Sequence, residues 1–424
     1  MNKFLHKWAS DLFPINRSIT GKGVRDTLSY IKDIIPNLNV YSIPSGKRVF
    51  DWVIPNEWEI NEAFIEDQNG NRVIDFANNN LHVVGYSEPV DKWIDIDELN
   101  NYLHSIPEQP NAIPYVTSYY NKTWGFCLSE NQRSKLKDKK YHAVIRSKLK
   151  KGFLNYGELI IPGKSKKEIL LSTYICHPSM ANNEVSGPVV TAAIAKELEQ
   201  NKLNYTIRIV FIPETIGSIA YLFDHYQTLK KMVIAGFNIT CVGDNNCYSY
   251  LPSRDGNSIS DKAALHALKH VDSNFIKYSW LDRGSDERQY CAPGIDLPIA
   301  SILRSKYGEY PEYHTSLDDL SFISEDGLQE SVDIYIKVIK IINENYTPKP
   351  LILCEPNMGK RGLYSLISKQ NSNTKGVIDM MNIISLCDGV NTILDISEEI
   401  NLPFWDVNEI IKVLIKENIV SPFK

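Results

Sequence analysis

The stretch Ile169-Leu-Leu-Ser-Thr-Tyr-Ile-Cys-His177 is a short apolar run that ends in an ionisable side chain. A run of this length, with branched and aromatic residues, is typical of a buried strand. Three more ionisable residues follow apolar runs further along the chain: Glu214 after residues 205–212, Asp244 after residues 237–242, and His314 beyond residues 297–303. Ligands of an open α/β sheet bind beyond the carboxyl ends of its strands. We therefore expect these four side chains to meet in one site.

Helical patterns separate the apolar runs along the chain. They cover residues 188–200, 218–229, 260–271 and 325–345. Such alternation predicts a mostly parallel sheet flanked by helices, an α/β fold. A further helix at residues 23–35 and a strand at residues 38–43 extend the pattern towards the N-terminus. Residues 1–50 and 157–348 are therefore predicted to form one α/β domain.

The segment 51–156 has a different residue pattern. Short β-branched and aromatic runs, interrupted by proline and asparagine, occur at residues 50–54, 81–84, 115–120 and 141–145. They predict a small β-rich domain inserted into the α/β domain, beside its cleft. An aromatic cluster in this segment is open to two interpretations, a domain core on the one hand and a lid or sugar-stacking surface on the other. Its members are Tyr119, Tyr120, Trp124 and Phe126.

Three helical patterns with short connections, at residues 376–386, 392–400 and 404–417, predict a winged-helix-like module over residues 355–424. Between residues 376 and 424 there are three basic and eight acidic residues, a net of -5. Asp406 and Glu409 stand near the start of the helix that would meet DNA. We therefore expect no nucleic-acid partner. Packing or homo-oligomerisation through an apolar face with Ile410, Leu414 and Ile415 is the alternative role.

The composition is that of a globular protein without membrane spans. The 424 residues are 43% hydrophobic and 23% charged, and the net charge of -5 gives no electrostatic reason to bind nucleic acid. No run approaches the ~20 apolar residues that cross a bilayer, and the first residues contain no apolar signal core. Seven cysteines without a C-x-x-C pair favour reduced thiols, so we expect a cytoplasmic location.

Two imidazoles and two carboxylates make a donor set suited to zinc with a general base. Each residue also has a simpler interpretation. Asp244 lies in Gly243-Asp-Asn-Asn246, a sequence that suits a turn equally well. Glu214 follows a buried run, where an unpaired carboxylate would be costly, and this favours a functional role.

The motifs around these positions occur in a recognisable order. They are His177, Ala181-Asn-Asn-Glu-Val-Ser-Gly187, Pro213-Glu-Thr-Ile-Gly-Ser218, Gly243-Asp244, Ser285-Asp286 and Tyr313-His-Thr-Ser-Leu-Asp-Asp319. This order resembles the co-catalytic zinc aminopeptidases and glutaminyl cyclases. The whole chain resembles a bacterial subgroup of that clan with an inserted β-domain and a C-terminal winged helix, which is linked to polysaccharide biosynthesis.

The resemblance implies a metallo-aminopeptidase-like hydrolase that cleaves amide bonds of small peptides or of amino-acid and amino-sugar derivatives. It implies His177, Asp244 and His314 as metal ligands and Glu214 as the catalytic base. The resemblance further implies that Asp286, Glu287 and Arg288 bind the substrate. In this reading Asp286 hydrogen-bonds in the substrate pocket, while Glu287 and Arg288 hold an amine and a carboxylate.

The chain departs from the clan's pattern at three positions. Ser179 replaces an aspartate that orients the first histidine, Thr215 replaces a second glutamate, and Asn183 replaces the bridging carboxylate, with Glu184 beside it. Asn183 is retained as a further candidate ligand. Two missing carboxylates leave too little negative charge for two close divalent ions, so we expect one zinc ion per chain. The same losses leave open a second function, a catalytically weakened binding or assembly protein that keeps the fold.

Overall fold

An eight-stranded sheet forms the centre of the larger part of the chain in this computed structural model, which describes residues 4–363 and 373–423. Backbone contacts divide the chain into two units, Met1–Ser258 with Ile276–Asp333, and Ile259–Phe275 with Ile334–Lys424. The large sheet and the predicted site belong to the first unit. The C-terminal module belongs to the second.

The helices are, in chain order, α1 (Leu5–Leu12), α2 (Lys22–Ile34), α3 (Ile96–Leu99), α4 (Glu130–Arg133), α5 (Ser186–Leu198), α6 (Ile216–Met232), α7 (Ile259–Val271), α8 (Glu287–Tyr290), α9 (Glu325–Glu344), α10 (Asn373–Leu386), α11 (Ile393–Ile400) and α12 (Phe404–Lys416). A π-helical turn, Ala181–Val185, leads directly into α5. Short 3-10 turns occur at Asn80–His82, Asn100–Tyr102, Trp280–Asp282 and Gly359–Arg361.

The strands are β1 (Asn39–Pro44), β2 (Arg48–Val49), β3 (Trp52–Val53), β4 (Glu57–Glu66), β5 (Arg72–Asp75), β6 (Val90–Asp95), β7 (Leu103–His104), β8 (Phe126–Cys127), β9 (Lys140–Lys150), β10 (Phe153–Ile161), β11 (Ser165–Tyr174), β12 (Tyr205–Ile212), β13 (Val233–Asn238), β14 (Ser249–Leu251), β15 (Ile276–Lys277), β16 (Ile299–Leu303), β17 (Thr347–Pro350) and β18 (Val420–Phe423).

The large sheet has the strand order β1-β10-β12-β11-β13-β16-β14-β15. Its central strands β12, β11, β13 and β16 run parallel to their neighbours in that series, and β14 is parallel to β15. The pairs β1–β10, β10–β12 and β14–β16 are antiparallel. The predicted α/β fold with a mostly parallel sheet and flanking helices is therefore confirmed.

The central strands are continuous apolar runs because helices cover the sheet. In β11 every residue from Glu168 to Tyr174 is buried. Helices α2, α5 and α6 contact strands of this sheet, and α5 is buried along most of its length. This burial holds the carboxyl ends of β11 and β12 in fixed positions. The residues just beyond those ends are His177 and Glu214.

The segment between β3 and β10 contains its own antiparallel sheet, ordered β5-β4-β9-β6. The predicted strand at 141–145 lies within β9, and the run 50–54 contains β3 and the turn that joins it to β2. The predicted strands at 81–84 and 115–120 are wrong: the first overlaps a 3-10 turn, and the second is irregular. The apolar residues at 81–84 are buried without pairing as a strand, and the aromatic residues at 115–120 are half-buried or exposed. Sequence propensity cannot separate these cases from strand pairing.

The C-terminal unit contains α10, α11 and α12, which confirms the three helices predicted there. Thr392 caps α11 through a capping box with Asp395, and Asn401, whose φ is 54°, follows the last residue of α11. The pair β17–β18 is antiparallel. Leu414 is buried inside this unit, and Ile410 and Ile415 are half-buried, so the apolar face considered for oligomerisation is largely used in packing. Residues 364–372 of the predicted module lie outside the described residues.

No helix in the described ranges is long and apolar enough to cross a membrane. No disulfide bond joins any of the seven cysteines, all of which fall in the described part of the chain.

Candidate active site

The structure brings three of the four predicted strand-end residues to one cleft. His177, Glu214 and His314 line a cavity of about 450 Å³. Glu214 lies two residues beyond β12, and the next residue, Thr215, has a φ of 62°. His314 stands on the loop after β16, with a φ of 56°. Backbone at positive φ is unfavourable for these residue types and is often retained at functional sites.

His177 is held by a carboxylate that sequence reasoning missed. Glu184 Oε2 lies 2.9 Å from Nδ1 of His177 and accepts a hydrogen bond from its backbone N–H at 3.0 Å. Because a carboxylate only accepts, Nδ1 carries a proton and donates it to Glu184. The other ring nitrogen, Nε2, lies 3.6 Å from Oε2 of Glu214. Glu184 therefore performs the orienting role that Ser179 could not.

Glu184 reaches this position from the π-helical turn Ala181–Val185, where one residue more than in an α-helical turn is accommodated. It is paired with Arg17 at 3.3 Å, and both side chains are 1% exposed. Arg17 also donates from Nε to the carbonyl of His177 at 2.9 Å and from Nη1 to that of Leu12 at 2.7 Å. The one sequence signal was a polar Asn-Asn-Glu stretch within apolar surroundings.

Hydrogen bonds hold both the backbone and the side chain of Glu214. Its backbone N–H donates to Sγ of Cys176 at 3.2 Å, and its Oε1 accepts from the Ser285 hydroxyl at 2.7 Å. Burial raises the pKa of Glu214 above its usual value, although the neighbouring His177 acts in the opposite direction. A glutamate with a raised pKa is better matched to proton transfer near neutral pH.

His314 presents an unsatisfied nitrogen. Its Nε2 is buried and has no hydrogen-bond partner in the described part of the chain. Burial, and then the charge of His177, lower the pKa of His314 to about 3, so the ring is neutral at physiological pH. Tyr115 packs edge-on against both imidazoles, with ring centroids 5.2 Å from His177 and 5.1 Å from His314. A neutral, unpartnered imidazole nitrogen is a suitable metal ligand.

Asp244 does not line this cleft. Its Oδ1 accepts from the backbone N–H of Asn246 and the hydroxyl of Ser305, both at 2.9 Å. Its Oδ2 accepts from Nδ2 of Asn182 at 3.0 Å and from the backbone N–H of Ser305 at 2.9 Å. Four donors satisfy the carboxylate, and it acts as a turn and loop anchor here.

Asn183 also lies away from the cleft wall. Its Nδ2 donates to the Tyr174 hydroxyl at 2.7 Å, and its backbone carbonyl accepts from that same hydroxyl at 2.7 Å. The side chain is buried. Its contacts are those of a residue that fixes the π-helical turn.

Of the three residues expected to bind substrate, Arg288 alone lines the cleft. Asp286 is fully buried, and its Oδ1 accepts from the Thr215 N–H at 2.8 Å and the Ser218 hydroxyl at 2.7 Å. Glu287 is also fully buried and accepts from Gly284, Ser285, Tyr307 and Asn238. Both carboxylates position the loops below the cleft.

The inserted segment supplies the opposite wall of the cleft. Its cleft-lining residues are Trp52, Tyr115, Thr117, Tyr119 and Tyr120. The aromatic cluster predicted from the sequence therefore divides into two parts, one in a core and one at the cleft. Trp124 stacks on Tyr102 at 4.0 Å and Phe126 is fully buried, as in a core, whereas Tyr119 and Tyr120 reach the cleft.

The candidate metal donors in the described residues fall into two groups. In the described residues, the group of three metal-binding side chains whose ligand atoms lie within 4.8 Å of one another is Cys176, His177 and Glu184. The buried guanidinium of Arg17 beside Glu184 opposes a cation there. His177, His314 and Glu214 instead line the shared cleft, and their ligand atoms do not all lie within 4.8 Å of one another. The two imidazoles would hold one zinc ion with open positions, and Glu214 beside them would serve as the base.

The protonation state of His177 affects whether its ring can bind a zinc ion. Burial lowers the pKa of His177, but Cys176 and Glu184 outweigh it and raise this pKa well above its usual value. Without a metal, the ring therefore holds protons on both nitrogens near neutral pH. A zinc ion at Nε2 would displace one of them, so its retention should weaken as the pH falls.

The fold is an aminopeptidase-like α/β fold. A zinc aminopeptidase from Bacillus subtilis superposes with a TM-score of 0.57 at 14% identity, covering 80% of this chain and 94% of that one. A peptidase M28 precursor from Shewanella amazonensis superposes with a TM-score of 0.57 at 12% identity, covering 84% and 95%. At such low identity these structures show the fold alone, and they confirm the resemblance seen in the sequence.

The chain belongs to the DUF4910 family, whose model is described as a domain of unknown function and matches residues 6–345. A winged helix-turn-helix model matches residues 346–422. A Clostridium acetobutylicum protein named for polysaccharide biosynthesis and an aminopeptidase-like domain is 43% identical, over 94% of this chain and 92% of its own length. A crystal structure from the same organism, named as a candidate peptidase, has a TM-score of 0.93 at 40% identity, covering 99% of this chain and 96% of that one.

Proposed function

We propose that this protein is a zinc-dependent hydrolase of amide bonds in small peptides or in amino-acid and amino-sugar derivatives. The observation that carries the proposal is the approach of Glu214 Oε2 to within 3.6 Å of His177 Nε2, in the cleft that His314 also lines. The name of the Clostridium acetobutylicum relative supports a link to polysaccharide biosynthesis. The seven cysteines without disulfides support a reducing, cytoplasmic compartment.

His177 and His314 would hold the zinc ion. When bound, zinc polarises a carbonyl oxygen and lowers the pKa of a bound water towards ~7. Glu214 accepts the proton of the attacking water and returns it to the leaving amine. Ser285 holds Oε1 of Glu214, so Oε2, which faces His177, would take up the proton. Glu184 keeps the proton of His177 on Nδ1, which directs Nε2 to the cleft.

A binding or assembly protein that keeps the fold is the second candidate function. It is favoured by the four hydrogen bonds that occupy Asp244 and by the absence of a second cleft-lining carboxylate among the described residues. The two functions differ in whether Glu214 transfers protons. Loss of turnover in a Glu214 variant that still binds metal supports the hydrolase.

We also propose that the C-terminal module makes protein contacts and does not bind DNA. Its residues 376–424 carry a net charge of -5, which opposes the approach of phosphates. Ile410 and Ile415 are half-buried, whereas Ile378, Val390 and Val413 are exposed and offer apolar surface to a protein partner.

The purified protein should retain at most one zinc ion per chain, since the cleft offers two imidazoles and a single carboxylate. His177→Ala or His314→Ala should remove that ion, measured by elemental analysis after dialysis. His225→Ala on α6 is the matched control and should retain it, because His225 contacts Tyr221 away from the cleft. Two retained ions in the wild-type protein would show that Asp244 or Asn183 coordinates after all.

Asp286 should make stability depend on pH. Burial, and then the charge of Glu214, raise the pKa of Asp286 to about 7, above its value of 3.8 in the unfolded chain. Between these values the folded protein binds the proton and the unfolded chain does not, so the free energy of unfolding falls as pH rises from about 4 to 7. Urea unfolding at pH 5 and 8 should show a smaller decrease for Asp286→Asn than for wild type. Equal decreases would contradict the assignment.

A further inference from the structure

Two exposed aromatic rings form the outer part of the cleft wall. Trp52 is 39% exposed and Tyr120 is 52% exposed, although both are large and largely apolar. Their ring centroids lie 5.9 Å apart with planes at 60°. Both line the cavity that contains Glu214. Exposed aromatic surface concentrated at a polar cleft is typical of a binding surface rather than of a core.

The two rings are held in place by the protein itself. Trp52 lies on the hairpin β2–β3, whose turn residue Phe50 packs edge-on against Phe223 of α6 at 5.2 Å. Lys47, just before the hairpin, pairs with Asp224 of α6 at 2.8 Å. The Tyr120 hydroxyl donates to the carbonyl of Val53 at 3.0 Å. The aromatic surface therefore exists before any ligand arrives, which lowers the entropy cost of binding.

A cationic side chain, Arg288, lines the same cleft. Arg288 is exposed and donates from Nη2 to the Thr215 hydroxyl at 2.8 Å. No carboxylate of the described residues lies within 4.0 Å of its guanidinium nitrogens, unlike Arg25 or Arg72, which are ion-paired. A guanidinium can bind a carboxylate through two parallel hydrogen bonds. The cleft thus offers an unsatisfied site for an anionic group.

The cleft is poorly suited to a free amino terminus. Glu214 is its one carboxylate among the described lining residues, and that group is engaged with Ser285 and faces His177. The nearby carboxylates of Asp286 and Glu287 are fully buried. A substrate ammonium would therefore have to compete for the catalytic base, whereas an anionic substrate would meet Arg288.

We propose that the substrate is an anionic sugar: a pyranose ring that carries both a carboxylate and an N-acyl group. The apolar C–H face of the ring would pack on Trp52 and Tyr120, and the carboxylate would pair with Arg288. The acyl amide would then face Glu214. The cleavage of that amide rests on the proposed hydrolase function, but binding of the sugar does not.

Binding can be measured without turnover by calorimetry on full-length Glu214→Gln. N-acetylmuramic acid is the anionic probe, N-acetylglucosamine is its neutral counterpart, and leucinamide represents peptide substrates. We expect N-acetylmuramic acid to bind at least ~10-fold more tightly than either of the others. Adding Arg288→Gln should remove the preference for the anionic sugar, and Arg283→Gln, which changes an arginine stacked on Trp280, should not.

The aromatic surface is tested separately. Trp52→Ala should weaken binding of both sugars by about 10-fold. Trp93→Ala is the matched control, because Trp93 is 53% exposed but stacks on His142 and does not line the cleft. A thermal melt of each variant confirms that it is folded.

Tighter binding of leucinamide, or an anionic preference that survives Arg288→Gln, would overturn the proposed substrate class. Sugar binding as expected in a protein that hydrolyses no amide would support the substrate class and remove the hydrolase. Hydrolysis of peptide amides without sugar binding would support the hydrolase and overturn the sugar as its substrate.

Discussion

Glu214→Gln is expected to reduce amide hydrolysis by ~10² to 10⁴-fold while leaving the zinc content unchanged. The amide side chain keeps the size of the carboxylate and still accepts a hydrogen bond from Ser285, but it cannot accept the proton of the attacking water. The rate should be measured as kcat/KM on the best amide found for wild type in a screen of amino-acid anilides and N-acyl amino sugars. Zinc content is measured on the same sample.

Glu108→Gln is the matched control for this experiment. Glu108 is exposed and does not line the cleft, so the same chemical change there should leave both rate and zinc unchanged. Hydrolysis that is unaffected by Glu214→Gln would remove the catalytic base from the proposal and favour the binding-protein function. A loss of zinc together with the rate would instead make Glu214 a metal ligand.

Arg17→Met is expected to lower the free energy of unfolding by ~3 to 5 kcal/mol, because the buried carboxylate of Glu184 loses its guanidinium partner and keeps only the His177 ring. Both side chains are 1% exposed, so water cannot replace the lost partner. The variant also removes the hydrogen bonds to the carbonyls of His177 and Leu12. Urea unfolding measures the effect.

A double variant separates the charge effect from the loss of packing. Arg17→Met with Glu184→Gln removes both charges, and it should be more stable than Arg17→Met alone. Arg146→Met is the surface control. Arg146 is 60% exposed where it pairs with Glu62, so its loss should cost about 1 kcal/mol or less. A double variant no more stable than Arg17→Met would show that the charge of Glu184 is not the cause.

The sequence predicted those parts of the site that lie directly at the ends of buried strands. His177 and Glu214 follow two neighbouring buried strands, β11 and β12, and sheet geometry alone brings such residues together. His314 could be predicted only from its motif, since it lies on a loop beyond β16 that sheet geometry does not fix. The alternation of buried strands and helical patterns likewise determined the α/β class.

The remaining features depend on contacts between residues far apart in the chain. Asp244 follows an apolar run as the other three do, but Asn182 and Ser305 bind its oxygens, and no local pattern reveals such partners. Glu184 acts on His177 because a π-helical turn shifts its direction by one residue. That turn is stabilised by Asp318, whose carboxylate accepts from the N–H groups of Asn182 and Asn183. The periodicity of the sequence does not reveal the one extra residue that a π-helical turn contains.

An anomalous difference map, recorded at the zinc edge on crystals grown with one equivalent of zinc, would locate the ion. We expect one peak, about 2.0 to 2.1 Å from Nε2 of His177 and from Nε2 of His314, with Glu214 facing it. A peak bound by Asp244, or no peak between the two imidazoles, would contradict the proposed zinc site and the hydrolase built on it.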